Sequence, residues 1–160
     1  MYEGEWLDDK KNGPGTFTYA SGDKYVGSFE HGLRCGEGKY FVKGEVAYEG
    51  TYLNNKRHGK GKYTWPDKVR SYEGDYRNDR MDGSGTLTYT EGTYTGEFSD
   101  NKRSGYGKYV FSNGDIHEGQ YLNDKRHGEG KFQFKANGTI YEGNLFVLTS
   151  STLNINIIIH

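Results

Sequence analysis

The sequence is poor in the residues that stabilise most small proteins. Leu, Ile, Val and Phe account for only 28 of its 160 residues, a proportion at which a disordered chain becomes a serious alternative. Its single cysteine, Cys35, cannot form an internal disulfide, which fits a reducing compartment. Against disorder stand 15 tyrosines, 8 phenylalanines and 2 tryptophans. We therefore expect a folded chain whose core consists mainly of aromatic rings.

Other absences limit the function. The formal net charge is −1, whereas a general nucleic-acid binder needs a cationic excess. The sequence shows no signal peptide, no lipidation motif and no apolar run near the roughly 18 residues of a membrane span. These features predict a cytoplasmic protein that binds no nucleic acid.

An internal repeat organises the chain. Successive copies start 22 to 24 residues apart, and a glycine follows two residues after each start. An aromatic residue comes two positions later in the first six copies. Each full copy also contains a Gly-x-Gly pair near its middle. The leading residues are Tyr2, Tyr25, Tyr48, Tyr72, Tyr94, His117 and Tyr141. A signature that recurs in this way indicates a structural unit rather than a catalytic site.

We assign residues 2–143 to one repeat domain. The copies span about residues 2–24, 25–47, 48–71, 72–93, 94–116 and 117–140, followed by a partial copy at 141–143. Residues 144–160 lose the glycine pattern and are rich in β-branched side chains. The sequence leaves open whether this tail forms strands that cap the last repeat, provides an interface, or results from a mistaken gene model.

The alternation within a copy predicts a β-hairpin. Tyr2, Gly4 and Trp6 fall on one side of an extended strand, because successive side chains point to opposite faces. Turn sequences such as "SGD" and "NGD" follow the second strand. Since glycine is unfavourable inside a strand, its recurrence predicts that rings lie over glycines on one face of a single-layer sheet. In the first copy Gly4, Gly13 and Gly15 would make this room.

The strings "YEGEW", "YEGTYLNNKRHGKGKYTW" and "HEGQYLNDKRHGEGKFQF" resemble the MORN (membrane occupation and recognition nexus) repeat. The resemblance covers residues 2 to about 143, with departures at His117, in place of the leading tyrosine, and at Leu87. It implies an all-β fold, an elongated, twisted, single-layer antiparallel sheet of consecutive hairpins with an aromatic groove. Similar proteins include axonemal, radial-spoke and cytoskeletal components and junctional membrane proteins. In some enzymes the repeats form a non-catalytic extension.

One candidate binding surface is the aromatic groove. A one-layer sheet is expected to leave rings partly open, and Tyr and Trp anchor many interfaces. We predict that this groove receives a helix or an extended segment of a partner protein. The groove residues are Trp6, Tyr52, Trp65, Tyr76, Phe98 and Tyr121. The alternative is that these rings only form the core of the fold.

A basic edge is the second candidate. Stacked hairpins would align cations from matching places into a ladder that meets anionic phospholipid headgroups or an acidic protein. Its members are Lys56, Arg57, Arg80, Lys102, Arg103, Lys125 and Arg126. The alternative is a solvated loop that is neutralised by neighbouring aspartates such as Asp79 and Asp124.

The same pattern argues against catalysis and metal binding. His58 and His127 hold matching places three repeats apart, about 28 Å by the strand spacing, whereas zinc ligands lie about 2 Å from one ion. The glycine-rich strings lack the strand-to-helix context of a phosphate loop. We predict no enzyme activity, no catalytic residue, no metal or cofactor, and no small-molecule substrate.

The leading functional hypothesis is a non-catalytic structural adaptor within a cytoskeletal assembly. A ciliary or flagellar axoneme, for example its radial spoke, is the most specific form of this expectation, and the resemblance alone implies it. The first alternative is a membrane-associated module that binds anionic phospholipids. The second is the regulatory arm of a separate enzyme subunit.

Overall fold

A computed structural model describes residues 1–144, and this part of the chain contains thirteen strands and no helix. The strands are β1 (Tyr2–Leu7), β2 (Lys10–Thr18), β3 (Lys24–Glu30), β4 (Leu33–Val42), β5 (Glu45–Leu53), β6 (Lys56–Thr64), β7 (Ser71–Arg77), β8 (Arg80–Tyr89), β9 (Gly92–Ser99), β10 (Lys102–Phe111), β11 (Ile116–Leu122), β12 (Lys125–Gln133) and β13 (Ile140–Asn144). Apart from Asn144, the predicted apolar tail lies outside the described residues.

The described residues form two compact units, Met1–Met81 and a second unit that begins at Asp82. In the first, β1 to β7 each pair antiparallel with the strand next to them in sequence. In the second, β8 to β13 do the same. Each unit is therefore a single-layer sheet of consecutive hairpins. The all-β hairpin fold that we predict from the repeat is confirmed.

Tight turns join the two strands of each repeat. In the third repeat Leu53 pairs with Lys56, and the residues between them, Asn54 and Asn55, have φ angles of 50° and 69°. Positive φ at both central residues marks a type I′ turn, whose twist matches that of a hairpin and which Asn and Asp tolerate. Most loops between repeats use glycine instead, for example Gly22 with a φ of 88°, whereas the loop after β6 has Lys68 with a φ of 58°.

Tyrosine rings lie directly over glycines. Gly27 and Gly38 face each other on β3 and β4, and the Tyr25 ring covers both. A Cβ atom on Gly27 would stand 2.5 Å from Tyr25 Oη, closer than real side chains approach. The Tyr25 hydroxyl then donates a hydrogen bond to the carbonyl oxygen of Ser28, 3.2 Å away. The prediction that rings occupy the space above glycines is confirmed at these positions.

The first glycine of each Gly-x-Gly pair has a different role. Gly59 has a φ of 67°, and the nearest side chain to its Cβ position is Thr51 rather than a ring. Between the pairs Gly50↔Gly61 and Tyr52↔Arg57, strand β6 accommodates two extra residues in a bulge. Glycine is needed here because the bulge places it in the left-handed region. Our prediction that Gly13, the matching residue, makes room for a ring is therefore wrong.

The core is a column of edge-to-face rings. Tyr2, Tyr25, Tyr48 and Tyr94 each contact the aromatic residue of their own repeat and that of the next repeat. Tyr25 lies 5.2 Å from Phe29 and 5.1 Å from Tyr52, measured between ring centroids. Such pairs add about 0.5–1.5 kcal/mol beyond the burial of their area. The column continues through Tyr48 and Tyr76 in the first unit and through Tyr94, Tyr121 and His117 in the second.

The glycine beneath a ring should not tolerate a methyl group. We expect Gly27→Ala to lower the free energy of unfolding by about 2 kcal/mol or more, because the new Cβ overlaps Tyr25 and the Gly38 backbone. Gly22→Ala is the matched control, since nothing lies within 4 Å of its Cβ position and only its positive φ costs energy, about 1 kcal/mol. Urea denaturation followed by circular dichroism measures both. Equal losses would contradict the packing explanation.

Candidate functional site

Most of the predicted groove residues are buried in the ring column. Tyr52, Tyr76 and Phe98 are each 4% exposed and Tyr121 is 5% exposed. The expectation that these four rings are partly open is wrong, because Tyr52, Tyr76 and Tyr121 each lie between two leading rings and Phe98 packs on Tyr94. Trp6 is 61% exposed and Trp65 is half-buried. Partner binding by the six residues stays a prediction, and only the two tryptophans offer substantial surface for it.

A second row of rings on the same face is more accessible than the column. We call it the outer row. In the first unit its members are Phe17, Tyr19, Tyr40, Tyr63 and Trp65, and all are half-buried. Phe17 and Tyr19 lie 4.8 Å apart, as do Tyr63 and Trp65. The row extends towards the loops that join successive repeats, where no further ring covers it among the described residues.

The second unit carries an equivalent outer row. Its half-buried members are Tyr89, Phe111, Phe132 and Phe134. Phe111 and Phe132 lie 5.6 Å apart, and Phe132 and Phe134 lie 4.7 Å apart. Of these rings, only Trp65 is among the groove residues predicted from the sequence. The signal for the others is the aromatic residue 15 or 17 positions after the leading residue of a repeat.

Polar groups accompany the outer row. The Tyr40 hydroxyl donates a hydrogen bond to Asp23 Oδ2 at 3.3 Å, and burial together with this carboxylate raises the pKa of Tyr40. The Arg70 guanidinium lies 5.6 Å from the centre of the Trp65 ring and is held by Asp67 at 2.6 Å. An aromatic strip with fixed hydroxyl, carboxylate and guanidinium groups is a surface suited to a peptide.

The arginines of the predicted basic edge are engaged within the fold. Arg57 places its guanidinium 5.0 Å from the Tyr76 ring centre. Its Nη2 donates to the Asp79 carbonyl oxygen at 2.9 Å and its backbone N–H donates to Asp79 Oδ1 at 3.0 Å. The Asp79 N–H donates in return to the Arg57 carbonyl oxygen at 2.9 Å. We call this set of contacts the arginine clamp, because it ties one repeat to the turn of the next.

The clamp recurs in both units. Arg34 binds Asn55 in the same way, with its Nη2 2.6 Å from the Asn55 carbonyl oxygen. Arg103 binds Asp124, with the corresponding distance 2.8 Å. Asparagine therefore serves as well as aspartate as the clamp acceptor, which indicates that hydrogen-bond geometry matters more than net charge at this site.

The basic edge is consequently not one ladder. Lys56 and Arg57 are consecutive on β6 and point to opposite faces, so Lys56 is exposed while Arg57 packs on the rings. The same holds for the two later pairs: Lys102 and Lys125 are exposed, whereas Arg103 and Arg126 are half-buried. Arg80 follows its leading tyrosine by eight residues, as Lys56 does, and is exposed. The prediction of an aligned cationic edge therefore holds at most for the exposed side chains.

The opposite face of each sheet is polar and balanced in charge. In the first unit Lys39 pairs with Glu49 at 2.8 Å and Lys62 with Glu73 at 3.1 Å. In the second unit Lys108 pairs with Glu118 at 2.7 Å and Lys131 with Glu142 at 3.1 Å. Exposed pairs of this kind stabilise the fold little. They do neutralise the lysines that would otherwise attract an anionic surface.

His117 is a polar member of the ring column. It is fully buried, and its Nδ1 lies 2.9 Å from the Tyr121 hydroxyl oxygen. Its Nε2 is buried and finds no partner within residues 1–144. Burial, aided by the charges of Arg126 and Arg103, lowers the pKa of His117 to about 4. The histidine is therefore neutral at physiological pH.

Among residues 1–144 no group of three or more His, Cys, Asp and Glu side chains is placed to hold a metal ion. The same residues include no helix that could span a membrane.

Comparison with known proteins identifies the repeat. The family model described as "MORN repeat" matches residues 2–24, 25–46, 48–70, 72–93, 94–116 and 117–139. Over 33 residues the chain is also 46% identical to the histone-lysine N-methyltransferase SETD7 of Halocynthia roretzi. That match covers 21% of this chain and 8% of the relative, so the chain spans only a small part of that protein's length. MORN repeats generally mediate protein or lipid interactions and are typically non-catalytic modules.

The arginine clamp should contribute to stability more than an exposed cation does. We expect Arg57→Gln to lower the free energy of unfolding by about 2 kcal/mol, because it removes the contact with the Tyr76 ring and the guanidinium hydrogen bonds to Asp79. Lys56→Gln is the adjacent control and should change the value by less than about 0.5 kcal/mol. Chemical denaturation of both variants tests this. A similar loss in the two would show that Arg57 acts only as a surface charge.

Burial of neutral His117 should make stability depend on pH. The pKa falls from its ordinary value of 6.5 to about 4 on folding, so the unfolded state binds the proton more tightly. Stability is complete above pH 6.5 and is lost as the pH falls towards 4, by up to about 3 kcal/mol. We expect His117→Tyr to remove this dependence, because a phenol replaces the imidazole in the column.

Unfolding midpoints measured between pH 7 and pH 4 test the role of His117. His127→Tyr is the control, since His127 is exposed and its replacement should leave the pH dependence of the parent chain unchanged. An unchanged pH dependence in the His117→Tyr variant would contradict the explanation by burial.

Proposed function

The chain belongs to the MORN-repeat family, and from this we propose that it is a non-catalytic structural adaptor that binds protein partners through the outer row. The half-buried rings of that row carry the proposal. The column rings are already covered, and the clamp arginines are used inside the fold, so the outer row and the exposed Trp6 are the aromatic surface of this face that remains available. A helix or an extended segment with apolar side chains fits such a strip.

We further propose that the partner is part of a cytoskeletal assembly, with a ciliary or flagellar axoneme as the specific case. Its support is the resemblance to axonemal and radial-spoke proteins that carry the same repeat. A fold alone does not determine a function. The proposal must therefore be tested by identifying the proteins that this chain binds. Similarity to a methyltransferase over 33 residues favours a second candidate, a regulatory arm that acts with a catalytic subunit on another polypeptide.

Partner capture tests the outer row. We expect a chain with Tyr19→Ser, Tyr40→Ser and Trp65→Ser to lose most of the proteins that the parent chain captures from ciliated cells, because hot-spot rings dominate interface energy. The control is Tyr106→Ser, which removes a 59% exposed ring outside the outer row. Circular dichroism confirms that each variant is folded. Equal capture by all variants would rule out the outer row as the binding surface.

Mass spectrometry of the captured proteins separates the candidates. Axonemal proteins support the adaptor, and a catalytic subunit supports the regulatory arm. Cosedimentation with phosphoinositide vesicles at low salt is the test of lipid binding. We expect little binding, because Lys39, Lys62, Lys108 and Lys131 of the polar face are paired with glutamates, although Lys56, Lys102 and Lys125 are exposed. Binding that falls when Lys56, Lys102 and Lys125 are neutralised would favour a membrane-associated module instead.

A further inference from the structure

The rings of the outer row in the first unit recur at a regular distance. Phe17, Tyr40 and Tyr63 hold matching places in their repeats and lie on β2, β4 and β6. One strand separates each of them from the next. Because neighbouring strands lie about 4.8 Å apart, successive rings stand about 9.6 Å apart. A partner segment that lies along the row meets every repeat only if its side chains recur at this distance.

This distance favours one backbone conformation over two others. A polyproline II helix has three residues per turn and rises about 3.1 Å per residue, so every third side chain returns to the same face after about 9.3 Å. In an α-helix the nearest equivalent, the seventh residue, comes after about 10.5 Å. In a β-strand the side chains of one face recur after about 6.7 Å and then after about 13 Å. The polyproline II helix therefore stays closest to the register of the row.

Unused hydrogen-bond donors on the rings favour the same conformation. The Tyr19 and Tyr63 hydroxyls and Trp65 Nε1 form no hydrogen bond with another residue in the range 1–144, although all three rings are half-buried. A polyproline II backbone has no internal hydrogen bonds, so its carbonyl oxygens are free to accept from such donors. In an α-helix most of these oxygens already accept within the helix. The ring donors therefore suit a polyproline II segment better than a helical one.

Charge on this face adds a preference for a cation. The Asp23 carboxylate is half-buried beside the row and accepts a hydrogen bond from the Tyr40 hydroxyl at 3.3 Å, but it forms no ion pair within residues 1–144. Two cations of the same face are engaged elsewhere. Arg70 is paired with Asp67 at 2.6 Å, and Lys11 lies over a ring of the row, 4.2 Å from its centre. An arginine or lysine of a partner would complement the charge of Asp23.

We propose that the outer row of the first unit binds a proline-rich segment of a partner protein in the polyproline II conformation, with an arginine or lysine placed against Asp23. The proposal rests on the adaptor function above and names the class of its ligand. Proline at every third position stacks on the rings of successive repeats, and the preformed helix loses little entropy on binding. The chain has only two prolines, Pro14 and Pro66, so a second copy of these 160 residues cannot supply the segment.

The probe is a labelled peptide of nine prolines between two arginines, so that a cation reaches Asp23 in either chain direction. We expect saturable binding to the full chain, measured by fluorescence anisotropy, with a dissociation constant below about 1 mM. The control peptide RGSAGSAGSAR has the same length and charge but a flexible backbone, and it should bind at least about tenfold more weakly. Equal binding of the two peptides, or no saturation with the first, would overturn the proposal.

Variants of the chain locate the peptide. Tyr19→Ser and Trp65→Ser should each weaken binding about tenfold or more, since each removes a ring of the row. Asp23→Asn keeps an acceptor for Tyr40 and should weaken binding of the arginine peptide about threefold or more, but not of a peptide with glutamine at both ends. Tyr106→Ser removes an exposed ring of the second unit and is the control. Parental affinity in both the Tyr19→Ser and the Trp65→Ser chains would place the peptide elsewhere and overturn the proposal.

Partner capture separates this proposal from the adaptor function. The chain with Tyr19→Ser, Tyr40→Ser and Trp65→Ser might lose its captured proteins although the parent chain does not bind the proline peptide. In that case the outer row binds another kind of segment, and only the present proposal is wrong. Unchanged capture would contradict the adaptor function through this row as well. Release of captured proteins by an excess of the proline peptide, but not by the control peptide, would support both.

Discussion

The packing of a tyrosine ring onto two facing glycines is the constraint on which this structure depends. A single-layer sheet has no second sheet to bury its apolar face. Here the rings lie flat along the sheet instead of standing on it, and they can do so only where the strand beneath has no side chain. The hydroxyl of each such tyrosine then reaches a backbone carbonyl three residues further on, as in Tyr48 and Thr51. Burial raises the pKa of Tyr25 to about 12, so the ring stays a neutral donor.

Coupling between repeats follows from the same arrangement. A leading ring that lies along the sheet presents its edge to the next repeat, so Tyr25 is buried jointly by Phe29 and Tyr52. No repeat can complete its own core, which is the general property of stacked repeat proteins. The arginine clamp adds a polar connection at the same boundary. Arg34 and Arg57 each stack on rings and hold the following turn.

The sequence predicts the fold well because its repeat makes the strand pattern visible six times. The family, the hairpins and the rings over Gly27 and Gly38 all follow from period-two alternation and the spacing of glycines. The bulge at Gly59 does not, since a glycine required by backbone conformation and one required by space look the same in a sequence. The sequence Asn54-Asn55 predicts a type I′ turn. A prediction of this fold should therefore use such pairs as well as the glycine-containing turns.

The binding surface is harder to predict than the fold, for a physical reason. Alternation tells which face a ring is on, but exposure depends on what the neighbouring repeat places over it. Tyr52 and Tyr63 share a face, yet one is 4% exposed and the other half-buried. The exposure of a cationic side chain is equally hard to predict. Arg57 lies on the aromatic face because of a bulge in β6, while the adjacent Lys56 is exposed to solvent.

Stability and recognition therefore use different rows of one face. The column is fixed by packing and is braced by clamps at Arg34, Arg57 and Arg103, which leaves little freedom for change. The outer row lies beside the loops between repeats, where ring identity varies from Tyr40 to Trp65 to Phe111. A surface whose rings differ from repeat to repeat presents a partner with a sequence of distinct contacts rather than a uniform strip. Specificity in such a protein can then change without disturbing the rings that hold the sheet together.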